Sequence, residues 1–326
     1  MEIAEIPTVT PVSDPAAMLK ELGEPLVKAA FDDILSSNIP SPKAREILVE
    51  FSQSWKDYSR PALMMLVCEA VGGNPKTVEP VAKAMILSAG AFDIHDDIID
   101  RSYERGEKRE KTLLSRYGLE AMLLIGDALL IGSYSYLPSM QSMIPHEKIM
   151  RIASCIQNGL FELGSAELDE MNLIRNFKTT PEEYLRVVQM KAADVESYTK
   201  VGAMVGCTDE EKISAFAKFG RLLGIITILR DDIEDTFNDK FELSSRITKE
   251  SLPLPIIFAL KNPKMLPILQ TYNTSPSDET LEKILEIVEE SKGFEKTKDI
   301  IETYIFEVKN ILQKYDYIEK LTSLFT

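Results

Sequence analysis

The sequence is short of everything that would make it a disulfide-framed, nucleic-acid-binding or membrane-spanning protein. Its three cysteines, Cys68, Cys155 and Cys207, are odd in number and fall at no motif spacing. That excludes a disulfide framework and points to a reducing compartment, so a cytoplasmic location is expected. Basic residues are in deficit, 37 Lys and Arg against 52 Asp and Glu, a net charge of −15. Such a surface repels nucleic acid and anionic lipid alike. No uninterrupted apolar run reaches the ~18 residues a membrane span needs. The nearest, residues 121–132, is broken by Asp127. Residues 1–13 are acidic and proline-broken, so they read as a flexible arm and not as a signal peptide. Helix breakers are sparse too, with 15 Gly and 17 Pro in 326 residues.

What is present is helical. From residue 14 to 326 apolar residues recur at helical spacing, with no convincing alternating strand. The pattern predicts helices over 15–36, 42–71, 77–101, 117–137, 146–176, 180–206, 209–240, 253–261, 277–291 and 294–323. Start signals support several of them. Thr180-Pro181-Glu182-Glu183 reads as an N-cap, a proline at the first helical position and acids in the first turn. Thr208-Asp209-Glu210-Glu211 reads alike. No linker, low-complexity segment or short repeat divides the chain. The expectation is a single all-α domain, 14–326, built as one large helical bundle.

One pattern does repeat. Asp96, Asp97 and Asp100 recur in form as Asp231, Asp232 and Asp235. On a helix, positions i and i+4 share a face, so Asp96 and Asp100 project together while Asp97 turns away. A cluster of charge on a helix is ordinarily a solvated face, but these triplets end apolar helices, after AMILSAGAFDI and GRLLGIITIL. Carboxylates so embedded are costly unless paired. Two embedded copies point to a metal site, and hard oxygen donors suit Mg²⁺, which completes its shell with waters and phosphate oxygens. An acidic protein that binds a phosphorylated substrate needs such ions as intermediaries. Asp127 reads as a buried structural aspartate, His95 as core or as a support to the site, and His146 as surface.

These residues carry a family resemblance. The chain resembles the trans-isoprenyl diphosphate synthases over roughly residues 40–260. The resemblance rests on SRPALMMLVCEAVGG (59–73), the DDIID motif, RYGLEAMLLIGDALL (116–130), Lys191 in VVQMKAA, GRLLGIITILRDDIED (220–235) and KESLPLPIIFAL (249–260). It implies an isoprenoid synthase bundle with a central apolar cavity and a homodimer. It also implies three Mg²⁺ between the aspartate helices and the diphosphate of an allylic prenyl substrate. All six motif aspartates would serve as metal ligands. Arg105 and Lys191 would complete the diphosphate shell, with Arg246, Lys249 and Arg60 as further basic groups and Lys191 counted with the catalytic set. Ser88, Ala91 and Phe92 would line the deep end of the substrate channel. Substrates from C15 to C25 fit, since Ser88 and Ala91 are small and Phe92 is large.

The sequence departs from the family where a second substrate, isopentenyl diphosphate, should bind. Asp57 stands at the family's lysine in the Gly-Lys-x-x-Arg-Pro stretch, although Arg60 is kept. Ala89 replaces a His or Gln, Gly106 an arginine, and Thr227-Ile228 a Phe-Gln pair. The expectation drawn from this is a class I terpene synthase-like enzyme. It would ionise one prenyl diphosphate, and the cation would cyclise, lose a proton or take up water. A chain-elongating prenyl diphosphate synthase is the alternative, and a silent partner subunit the third reading.

Overall fold

The computed structural model describes residues 14–106, 108–272, 278–315 and 319–325. The expected arm, residues 1–13, and most of the breaker at 273–279 lie outside the described residues. In chain order the helices are α1 (Pro15–Ser36), α2 (Pro42–Ser54), α3 (Ser59–Ala70), α4 (Glu79–Ile99), α5 (Leu113–Tyr117), α6 (Leu119–Ser133), α7 (His146–Met171) and α8 (Pro181–Lys191). They continue as α9 (Ala193–Gly206), α10 (Glu210–Phe237), α11 (Lys240–Thr248), α12 (Leu254–Ala259), α13 (Met265–Thr271), α14 (Asp278–Glu290), α15 (Gly293–Leu312) and the single turn α16 (Glu319–Thr322). The all-α expectation holds. The one exception among the described residues is a small antiparallel ribbon between α4 and α5, pairing Glu104 with Lys111 and Arg105 with Glu110.

Local chemistry starts the helices where the sequence said it would. Asp14 accepts from the Ala17 amide at 3.0 Å and Pro15 occupies the first helical position. At α8 the Thr180 hydroxyl accepts from the Glu183 amide at 3.2 Å while the Glu183 carboxylate accepts from the Thr180 amide at 2.8 Å. That reciprocal pair satisfies two orphan N–H groups at once. Helices α5 and α13 were not expected and α15 ends at Leu312, short of the expected 323; four further departures follow from tertiary contacts or missed turn chemistry. The expected helix over 42–71 is two helices, because Trp55 leaves helical geometry (ψ 122°), packs edge-on against Phe31 and donates its indole N–H to Asp93. The helix over 180–206 breaks at Ala192 (ψ −6°), directly after Lys191. Gly118, at φ +84°, separates α5 from α6. Helix α11 was missed although Asp239 caps it, accepting from the Phe241 and Glu242 amides at 2.9 and 3.0 Å.

Helix α9 sits at the centre, packed on α3, α7 and α10, while α4 lies between α1 and α6. Two glycines let α10 press onto α9. A Cβ at Gly220 would sit 2.8 Å from the Val195 carbonyl oxygen, and one at Gly224 would sit 2.9 Å from the Ala192 Cβ. This close approach fixes the rotation of α10 two turns before its aspartates. The stretch Leu119–Ser142 has a mean hydropathy of 1.3 and the length to cross a membrane. Its inner face packs on α4, whereas Leu123, Leu124 and Ile131 face outward.

Replacing Gly224 with alanine forces α10 away from the α8–α9 junction. Overpacking of this kind costs about 1–3 kcal/mol, so denaturant unfolding of Gly224→Ala should show a loss in that range. An unchanged midpoint would mean the helices are free to separate.

Candidate active site

A cavity of about 400 Å³ opens between α4, α7 and α9. Ser88, Ala89 and Phe92 form its α4 wall, and Leu160, Leu163 and Leu168 its α7 wall. From α10, Ile228 reaches the cavity. Of the three residues expected at the deep end, Ser88 and Phe92 line the cavity, but Ala91 is fully buried in the core on another face of α4. The α7 wall was not foreseen. Gly159 and Gly164 also line it: α9 packs closely over Gly159, where a Cβ would meet the Ser197 hydroxyl, while the space beside Gly164 is open.

At the mouth stand the first aspartates. Helix α4 ends at Ile99 and Asp100 is its C-cap, so Asp96 and Asp100 lie one turn apart at the end of an otherwise apolar helix. Burial pushes both carboxyls up, Asp96 to about 8 with help from Asp100, and Asp100 to about 7 with help from Glu250. Asp97 turns aside as expected, and accepts from Arg105 at 2.5 Å. Raised carboxyls that repel one another are groups still wanting a cation. The donor set fits Mg²⁺, which takes one or two carboxylates and leaves most of its shell to water and phosphate. Among the described residues no three acidic, histidine or cysteine groups converge to enclose an ion by themselves.

Lys191 ends α8 and reaches across to α7, where its ammonium contacts Glu170 at 2.5 Å and Glu167 at 3.2 Å. These glutamates raise its pKa and outweigh the burial that opposes them. Glu170 also accepts from the Ser251 hydroxyl at 2.6 Å. Neither glutamate was singled out in the sequence, although their three-residue spacing on an amphipathic helix was a usable signal.

The second triplet is not a copy of the first. Asp232 is fully buried and satisfied by the protein itself. It accepts from the Tyr184 hydroxyl at 2.7 Å, from Arg246 at 2.8 Å and from the Leu254 amide at 3.1 Å. That arrangement is a structural anchor, so the expectation of six equivalent metal ligands does not describe Asp232. Asp231 and Asp235 share the outer face, their carboxyls raised by burial to about 6 and about 7. Arg246 donates to Asp232 and to the Ser251 carbonyl, and lies 3.6 Å from Asp235. It is an internal counter-ion rather than an open anion site. Arg60 is likewise held, by Asp57 and Asp194. Lys249 is exposed at the end of α11. His95 lines the cavity with Nε2 3.4 Å from the Asp127 carboxylate. Asp127 is itself exposed, which corrects its reading as a buried residue. His146 is exposed as expected.

Known proteins place this geometry. The family model "Polyprenyl synthetase" matches residues 48–290. A prenyl transferase from Cyanophora paradoxa is 27% identical over 85% of this chain and 80% of its own length. A geranylgeranyl diphosphate synthase from Methanosarcina mazei is 29% identical over 64% of this chain, the match spanning 63% of that protein. Among solved structures, a geranylgeranyl pyrophosphate synthetase from Pyrococcus horikoshii superposes with a TM-score of 0.84 at 22% identity, covering 95% of this chain and 96% of that one.

The two neighbouring aspartates of α10 should behave oppositely. Asp232→Asn takes from the buried Arg246 its closest charge partner, leaving Asp235 and Glu250 at 3.6 and 3.9 Å; breaking a buried pair costs up to about 3–5 kcal/mol, and the variant should unfold well below the wild-type temperature. Asp231→Asn should keep the melting temperature and abolish turnover. Equal stability losses in both variants would refute the division of roles.

Proposed function

This chain belongs to the polyprenyl synthetase family, and within it we propose a Mg²⁺-dependent enzyme that ionises an allylic prenyl diphosphate and transfers the prenyl cation to isopentenyl diphosphate, lengthening the chain. The observation that carries this reading is the carboxylate-rich mouth of an apolar cavity, in a chain whose relatives bear the names of prenyl transferases and prenyl diphosphate synthases. Those names favour chain elongation over the terpene synthase expected from the degraded second site.

The residues divide the work. Asp96, Asp100 and Asp231 are the candidates to hold Mg²⁺. When bound, the ions would neutralise the charge that develops on the departing diphosphate. Lys191, anchored by Glu167 and Glu170, presents its ammonium at the cavity mouth beside Asp96. Arg105, two-thirds exposed on the ribbon, can swing from Asp97 to a phosphate oxygen. The α7 and α4 walls, leucines and Phe92, shield an allylic cation from water.

One observation favours the second reading, a terpene synthase-like reaction on a single diphosphate. Arg60, the remaining cation expected at the second site, is bound on two sides by carboxylates. Incubation of the purified protein with Mg²⁺ and farnesyl or geranylgeranyl diphosphate, with and without isopentenyl diphosphate, separates the readings. The expected product is a longer diphosphate that appears only when isopentenyl diphosphate is supplied. A hydrocarbon or alcohol formed without it would overturn elongation and support the second reading.

The reading includes a homodimer and a cytoplasmic location. The outward residues Leu123, Leu124 and Ile131 of α6 and Phe161 of α7 are exposed and apolar, and a second copy covering them explains a surface that a monomer would leave wet. Sedimentation velocity at micromolar concentration should give about 73 kDa, twice the chain mass of 36.7 kDa. A Leu124→Lys, Ile131→Lys variant should sediment as a monomer. A monomeric wild type would exclude this interface.

A further inference from the structure

One helical turn below the aspartates the cavity has a second polar tier, and its charges run against its expected use. Arg60 lines the cavity together with Asp93, Asp194 and Tyr198. Asp194 stands in the first turn of α9, one turn beyond Lys191, and Asp93 stands one turn before Asp96 on α4. Asp57 precedes α3 and is fixed by the Ser59 hydroxyl, which donates to it at 2.8 Å. The Arg60 Nε–H donates to Asp194 and an Nη1–H donates to Asp57.

The pattern of these two bonds matters more than their number. A guanidinium grips phosphate bidentately through either of two edges, Nε with Nη2 or Nη1 with Nη2. Asp194 takes the Nε donor, which breaks the first edge, and Asp57 engages Nη1, an atom of the second, so both edges are contested by a carboxylate. Asp93 lines the same part of the cavity, so a third carboxylate adds its charge to this tier. The Trp55 indole N–H holds Asp93 in place. The Tyr198 hydroxyl is buried beside them without a hydrogen-bond partner. A diphosphate arriving here meets excess negative charge and an arginine already engaged.

We propose that Asp57 and Asp194 form a carboxylate lock on Arg60 that sets, and keeps low, the enzyme's affinity for a second diphosphate. Asp57 was visible in the sequence as a reversed charge. Asp194 was not, and it makes the lock two-sided. The inference rests on the reading of this chain as a prenyl diphosphate enzyme. It applies to both fates of the cation. In an elongating enzyme the lock raises the concentration of isopentenyl diphosphate required, and in a single-substrate enzyme it excludes that molecule.

The test is calorimetric titration of isopentenyl diphosphate into the full-length protein with Mg²⁺, comparing wild type with Asp57→Asn, Asp194→Asn. Each change keeps an oxygen acceptor and removes a charge. Releasing one charge-assisted bond should tighten isopentenyl diphosphate by about tenfold or more. The KM for the allylic diphosphate should not move in parallel. Adding Arg60→Gln to the double variant should cancel the gain. Unchanged affinity overturns the lock. Equal tightening of both ligands also overturns it, since that reports only a change in overall charge. If circular dichroism shows that the double variant is unfolded, Asp194→Asn alone is titrated and an unchanged affinity again overturns the proposal. The substrate reading fails separately: if neither protein binds an allylic diphosphate, inorganic pyrophosphate is the probe. A gain that depends on Arg60 then keeps the lock, and no gain removes it.

Discussion

Everything about this site depends on carboxylates buried at the ends of apolar helices. Taking an ionised carboxyl out of water is unfavourable by several kcal/mol unless a partner replaces the lost solvation. The chain meets that constraint in two ways. Asp232 is given a full set of donors, from Tyr184 on α8, Arg246 on α11 and the first amide of α12. Those bonds tie three neighbouring elements to α10 and hold its outer face in register. Asp96, Asp100 and Asp231 are instead left with raised carboxyls. Their need for positive charge is left to something that comes from outside.

The cations of the interior cannot supply it, because each already has an internal partner. Lys191 sits between Glu167 and Glu170, Arg246 against Asp232 and Asp235, and Arg60 between Asp57 and Asp194. The result is an alternating line of charge that runs from the first aspartate helix through Lys191, Glu170 and Arg246 to the second. A line of this kind is stiff and nearly neutral along its length. It orients the outer carboxylates while leaving few unengaged basic groups for a phosphorylated substrate. A protein with a net charge of −15 that recognises diphosphate by this design needs divalent ions at the interface between them.

Much of this was legible in the sequence, and the parts that were not have identifiable causes. Helical period, the cap at Thr180, the start signal at 208–211 (where the cap is Asp209, one residue after the Thr208 expected) and the paired aspartate triplets are local features, and they led to the all-α bundle and the site. The break at Trp55 was illegible because a tertiary contact to Asp93 overrides a strong helical pattern. The buried role of Asp232 was illegible because it depends on how far α10 is pressed into the bundle by Gly220 and Gly224. Glu167, Glu170 and Asp194 were missed for a shared reason. Each is an ordinary acid on an amphipathic helix until folding sets it beside a lysine or an arginine distant in sequence. Asp127 misled in the opposite direction, since an acid inside an apolar run looked buried while its helix turned that face to the surface.

The two triplets show why a motif underdetermines a mechanism. They are spelled alike, yet α4 ends at the cavity mouth while α10 runs through the centre of the bundle. On α4 the second aspartate meets the exposed Arg105 of the ribbon. On α10 it meets the core and becomes an anchor. The same logic applies to Arg60, which keeps the family's residue while Asp57 and Asp194 change what that residue can bind. Function in this fold is therefore decided less by which charged residues are present than by which are already neutralised from within. By that measure the outer faces of the triplets are open to ions and substrate, and the arginine of the deeper tier is closed.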